Sequence, residues 1–266
     1  MARMTGLKSR IGAGARVLGR DTGSLLAAAP LTLTLYAGVL LLPPRLAMAF
    51  GTDLLYRLSD LLLTLALRPL FAALTAVTLA AAWRRQPRGP ALAARAVGGQ
   101  ILRALATGVC AWVLSLALDL FTGLVGSIAG LLNTLTDWIP GVGAAIGWAL
   151  SALVWLATQA QLFVALVLLV YGMAALTVDG LWALPQAKRA LAILWGGRTD
   201  SLPALIALFV LWAAAQVPAA LVSMTAGGAA ALVVSGLTYV VITAVCVSAI
   251  MAIYLRERDR QDGWTL

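Results

Sequence analysis

Residues 152–176 read ALVWLATQAQLFVALVLLVYGMAAL, twenty-five positions without one charged side chain. A hydrocarbon core of about 30 Å is crossed by roughly 20 apolar residues of helix, so this stretch is long enough to span a bilayer alone. Outward from it the pattern repeats: apolar stretches at 24–83, 104–178 and 202–255 alternate with four basic segments. The first segment holds Arg3, Lys8, Arg10, Arg16 and Arg20, and the second Arg84, Arg85, Arg88, Arg95 and Arg103. The third holds Lys188, Arg189 and Arg198, and the C-terminal one Arg256, Arg258 and Arg260. Each apolar stretch has room for an out-and-back helical pair, which predicts an all-α, polytopic bundle of six transmembrane helices at 24–42, 61–82, 104–124, 152–176, 203–223 and 229–254. If the basic segments face the cytoplasm, both termini are inside. The whole of 1–266 then forms a single integral domain of the cytoplasmic (inner) membrane.

Composition agrees. Of 266 residues 62% are hydrophobic and 11% charged, with mean hydropathy +0.97, whereas soluble domains keep about a quarter of their residues charged. The net charge of +9 would suit nucleic acid, but cations beside apolar segments set membrane orientation and meet anionic headgroups, so no nucleic-acid partner is expected. There is no His, Glu257 is the one glutamate, and Cys110 and Cys246 each stand alone in an apolar run. Zinc hydrolases need His or clustered Cys, and intramembrane serine proteases need a base beside the nucleophile. Neither a phosphate loop of the GxxxxGK[ST] type nor a metal-binding carboxylate pair occurs. The expectation is therefore no enzymatic activity, no cofactor, no metal and no disulfide.

Turn-forming residues sit between the spans. Pro43-Pro44 is expected to end the first helix, since proline cannot donate to the helical ladder, and Gly227-Gly228 to reverse the chain between the fifth and sixth. Residues 45–60 suit a short helix on the outer interface. Ala47-Met48-Ala49 imitates a secretory cleavage site, but the run at 24–42 exceeds the usual signal core of about 7–15 residues, which predicts an uncleaved first helix. The middle stretch is longer than two spans require. Its surplus, 125–151, carries Asn133, Asp137, Trp138 and two GxxxG pairs, Gly126…Gly130 and Gly143…Gly147. Such pairs let helix backbones approach closely, though a Gly- and Ala-rich chain produces them by chance. The surplus reads either as an outer extension of two spans or as a shallow re-entrant hairpin.

Two ionisable groups fall inside predicted spans. Arg68 lies 14 residues before Ala82, and Asp119 lies 15 residues after Ala104, so their depths match if both helices start from one level. A buried Arg68–Asp119 pair would neutralise two charges that are each costly in lipid. It would either fix helix register or form an anion or proton site on a cavity. At the cytoplasmic face, segments 90–103 and 184–195 read as amphipathic helices. There Arg84, Arg85, Arg88, Arg95, Arg103, Lys188, Arg189 and Arg198 form a basic interface for anionic lipid headgroups, or a solvated surface that only sets orientation.

Asp179-Gly180-Leu181-Trp182-Ala183 matches only the start of the motif of phosphotransferases acting on CDP-alcohols; no further Asp follows at the required spacing, and Leu184 stands where that motif has Arg. A different likeness covers most of the chain. The basic start from Lys8 to Arg20, the basic segment from Arg84 to Arg103, and Asp179-Gly180 followed by Ala187-Lys188-Arg189-Ala190-Leu191 and Trp195-Gly196-Gly197-Arg198 occur in order. They precede a tail, Tyr254-Leu255-Arg256-Glu257-Arg258-Asp259-Arg260-Gln261-Asp262-Gly263. In this the chain resembles the six-helix membrane domain family named after glycerophosphoryl diester phosphodiesterases, without its soluble catalytic part. The resemblance implies a polytopic inner-membrane helper or lipid-associated module and supplies no catalytic residue. The expected function is a membrane scaffold or accessory subunit engaging lipid headgroups, a partner protein or a second copy. The alternative is a transporter of a small or lipidic substrate using Arg68 and Asp119 near the midplane.

Overall fold

The computed structural model describes Arg16 and residues 18–50, 61–86, 90–136, 142–196, 201–225 and 228–263, and among these every regular element is helical. In chain order they are α1 (Leu18–Ala28), α2 (Pro30–Phe50), α3 (Arg68–Trp83), α4 (Pro90–Gly98), α5 (Ile101–Thr136), α6 (Val142–Thr177), α7 (Leu184–Gly196), α8 (Ser201–Thr225) and α9 (Gly228–Gln261). A wide π turn, Leu63–Leu67, leads into α3.

Four helical stretches, Leu63–Trp83, Ile101–Leu135, Gly143–Thr177 and Gly236–Gln261, are each long and apolar enough to cross a bilayer. Two more arise if each bent pair is one span: Leu18–Ala28 with Pro30–Leu40, bent by 91°, and Leu184–Gly196 with Ser201–Val217, bent by 93°. Among the described residues the chain is all-helical, with four to six helices long and apolar enough to cross a bilayer, the character of a multi-pass membrane protein.

Helices α2, α3, α6 and α9 close a ring, α2 and α6 each touching both α3 and α9. Tyr36, Leu79, Met173, Ile250 and Met251 fill its centre, all nearly inaccessible. Lipid tails are as apolar as these side chains, so the ring gains more from close packing than from removing apolar surface from water. The contacts accordingly use small residues: Ala72, Ala73, Ala76 and Ala80 on α3, Ala174 and Ala175 on α6, Ala249 and Ala252 on α9. A few buried hydroxyls add polar links. Thr32 and Thr78 lie 3.1 Å apart between α2 and α3, and Thr75 donates back to Phe71 O within α3. Helix α8 packs on α9, with Trp212 donating a 3.2 Å hydrogen bond to Gln159 of α6, while α5 packs along α6 outside the ring.

Several sequence expectations are corrected. The helix expected from Ser24 to Leu42 is broken: the chain bends at Ala29, because the Pro30 ring disfavours helical geometry in the residue before it and suits the first turn of a new helix. Nor does Pro43-Pro44 end that helix, since α2 continues to Phe50. The two missing N–H groups free only the carbonyls of Val39 and Leu40, and helices in membranes tolerate such gaps. The outer-interface segment 45–60 begins within α2, and its residues 51–60 lie outside the described residues.

The surplus of the middle stretch extends two continuous helices of 36 residues each, about 54 Å long at 1.5 Å per residue. Among the described residues no break separates the surplus from the two spans, as an extension of them requires. Asp137 and Trp138 at its turn lie outside the described residues. Its first GxxxG pair forms no packing face. Gly126 and Gly130 face open space, whereas a Cβ at Gly147 would fall 2.7 Å from Asn133 Oδ1 across the hairpin.

Candidate functional site

The ends of α3, α6 and α9 meet the start of α7 at one end of the bundle, and there the charged residues of distant sequence segments converge. Asp179 follows the end of α6 in a turn that Gly180 completes at φ +68°, a left-handed conformation glycine adopts without steric cost. Its Oδ2 accepts a 2.6 Å hydrogen bond from the Tyr254 hydroxyl and a 3.5 Å one from Arg189 Nε, while Arg258 lies 3.8 Å from Oδ1. Arg189 also donates from one nitrogen to both oxygens of Asp262, at 2.6 and 2.8 Å. Arg258 pairs in addition with Asp259, whose other oxygen accepts 2.9 Å from the Trp83 indole. Burial works against the charge of Arg189, but the hydrogen bond and charge of Asp262, then those of Asp179, outweigh it and hold the guanidinium above its ordinary pKa.

Helix α7 is set in place by one amide. Gln186 Nε2 donates to Gly172 O at 2.8 Å and to the Thr107 hydroxyl at 2.9 Å, so one buried side chain ties α7 to α5 and α6. Burial of an amide without partners is costly, which makes this connection specific. Ile193 turns into the core on the same face, while Leu184, Leu191 and Trp195 point outward beside exposed Lys188. Arg103, at the start of α5, stands 5.6 Å from the centroid of Trp182, a cation–π contact.

Against this network lies a cavity of about 800 Å³. Asp179, Arg258, Asp259 and Asp262 form one part of its wall; Trp83, Arg84, Arg85 and Gln86 form the other. The second part is the C-terminal cap of α3. Gln86 N–H donates to Ala81 O and Arg85 N–H to Ala82 O, both at 2.9 Å, which is the Schellman arrangement. Its left-handed position is normally glycine, yet here Arg85 holds φ +54°. An L-residue there costs about 1–2 kcal/mol.

The expected basic interface is therefore divided. Arg84 and Arg85 are exposed and line the cavity; Arg95, Arg103 and Lys188 are exposed elsewhere on this end; Arg88 and Arg198 lie outside the described residues. Arg189 is not a surface cation, being committed to Asp262 and Asp179. Sequence reasoning missed Trp83, Gln186, Asp259 and Asp262. A faint signal existed: Tyr254, Arg258 and Asp262 recur every fourth residue, hence on one helix face.

Arg68 and Asp119 do not form the expected pair. Asp119 Oδ1 accepts instead from the Gln161 amide, whose oxygen accepts 2.7 Å from Thr122. The reason is register. Gly108 of α5 lies so close to Pro69 that an added Cβ would fall 2.0 Å from the proline ring, so Arg68 is level with Gly108. Asp119 is eleven residues further along α5, about 16 Å. Depth counting assumed that both helices start from one level, but α4 packs back along α3 through Ala93 and Val97 and brings α5 to the middle of α3.

No protein-family model, curated protein or solved structure matches this chain.

Proposed function

We propose that this chain is a non-enzymatic scaffold or accessory subunit of the cytoplasmic membrane. In this reading it crosses six times, both termini lie in the cytoplasm, and its basic end engages anionic lipid headgroups or a partner protein. The observation that carries the reading is the division of labour among the cations. Arg189 and Arg258 knit helix ends together, while Arg84, Arg85, Arg95 and Lys188 remain exposed on the same end beside the outward-facing Leu191 and Trp195. Cations flanked by interfacial aromatic and aliphatic side chains suit an anionic leaflet. The resemblance to the membrane domain named after glycerophosphoryl diester phosphodiesterases points the same way.

The transporter reading required Arg68 and Asp119 at one midplane site. Their separation along α5 favours the scaffold. Co-purification from native membranes with mass spectrometry of bound lipid and protein tests the proposal. Enriched anionic lipid or a stoichiometric protein partner supports it; a chain carrying neither contradicts it.

A further inference from the structure

We infer that the cavity at the basic end is a discrete binding site for a phosphate group, with Arg84 and Arg85 as its ligands; the inference rests on the headgroup reading and narrows it to one site. Three observations converge. The acidic wall is already satisfied: Asp179 by Tyr254 and Arg189, Asp259 by Arg258 and Trp83. Arg84 and Arg85 line the same space and join no ion pair among the described residues. The lining holds three guanidiniums and three carboxylates, and the carboxylates are engaged by Arg258 and, from behind the wall, by Arg189, so Arg84 and Arg85 are the lining charges left to meet an anion.

The second observation is conformational. A helix cap that glycine would close without strain is closed by Arg85, and both Arg85 and its neighbour Arg84 line the cavity. Guanidinium donors suit phosphate oxygens because their forked N–H groups can bind two at once. The third is the position of Trp83, whose indole donates to Asp259 from the side of the cavity. Indoles prefer the membrane–water boundary, the depth at which a headgroup phosphate sits. About 800 Å³ is ample for a headgroup or a free phosphate ester.

The test titrates the detergent-purified full chain with short-chain phosphatidylglycerol and, separately, with inorganic phosphate. One saturable site per chain is expected. Arg84→Gln with Arg85→Gly should weaken it by roughly tenfold or more, the loss of one good charge-assisted contact, while Arg20→Gln with Arg256→Gln, two exposed cations outside the cavity and the headgroup surface, should change it less than about twofold. Because glycine fits the left-handed cap, the loss would not be misfolding, and Arg85→Asn, which also tolerates that conformation, gives a second reading. Phosphatidylglycerol retained in excess inorganic phosphate assigns the site to a headgroup; displacement assigns it to a free phosphate ester. Absence of saturable binding, or equal weakening by both double variants, overturns the site. Equal weakening leaves general headgroup engagement standing, whereas a chain free of anionic lipid and partner in native membranes removes that reading itself.

Discussion

The Tyr254 hydroxyl donates a 2.6 Å hydrogen bond to Asp179 across 75 residues of sequence, joining the last helix to the turn that follows α6. Arg189 and Arg258 reach the same carboxylate, so Asp179 is the point at which α6, α7 and α9 are fastened together.

Removing that carboxylate leaves two guanidiniums short of a partner in a largely buried place. Because Arg189 keeps Asp262 and Arg258 keeps Asp259, Asp179→Ala should lower stability by about 2 kcal/mol, the loss of charge-assisted hydrogen bonds, and Tyr254→Phe, which removes one neutral donor, by about 1 kcal/mol. Unfolding in mixed micelles measures both. Equal small losses would mean that the network is solvated rather than structural.

Glycine positions should divide sharply. Gly108→Ala would drive a methyl into the rigid Pro69 ring and should cost about 1–3 kcal/mol. Gly126→Ala and Gly130→Ala face open space and should be neutral or stabilising by up to about 1 kcal/mol. Destabilisation at Gly126 and Gly130 would instead restore them as a packing face.

Arg68 and Asp119 should behave as independent sites. At about 16 Å along α5, the effects of Arg68→Gln and Asp119→Asn on stability should add to within about 0.5 kcal/mol. A double-mutant cycle with larger coupling would bring them back to one site.

Arg85→Gly should raise thermal stability by up to about 1 kcal/mol, since it removes the left-handed strain while making the unfolded chain more flexible. Unchanged or lower stability would mean that the Arg85 side chain contributes contacts that outweigh its backbone cost.

The membrane character and the approximate helices were legible because twenty-residue apolar runs carry that information locally. Arg84, Arg85 and Lys188 were legible as surface cations for the same reason. The bend at Ala29 was also within reach, since Pro30 follows it, whereas the passage of α2 through Pro43-Pro44 was not, because proline alone does not tell a stop from a tolerated gap. Long-range register was hidden. That Gly108 meets Pro69, and that Asp179 meets Tyr254 and Arg258, depends on how α4 and α7 pack, and no local pattern encodes it. The strained cap at Arg85 was invisible because arginine announces no left-handed turn.

The central claim is that lipid crossed repeatedly places the basic end on one side and the tip of the α5–α6 hairpin on the other. Single cysteines at Lys188 and at Thr134, in a chain with Cys110 and Cys246 replaced by alanine, can be labelled in sealed right-side-out vesicles by a membrane-impermeant maleimide. The account expects Thr134→Cys to react at once and Lys188→Cys to react only after the vesicles are opened. Labelling of both from the same side would contradict it.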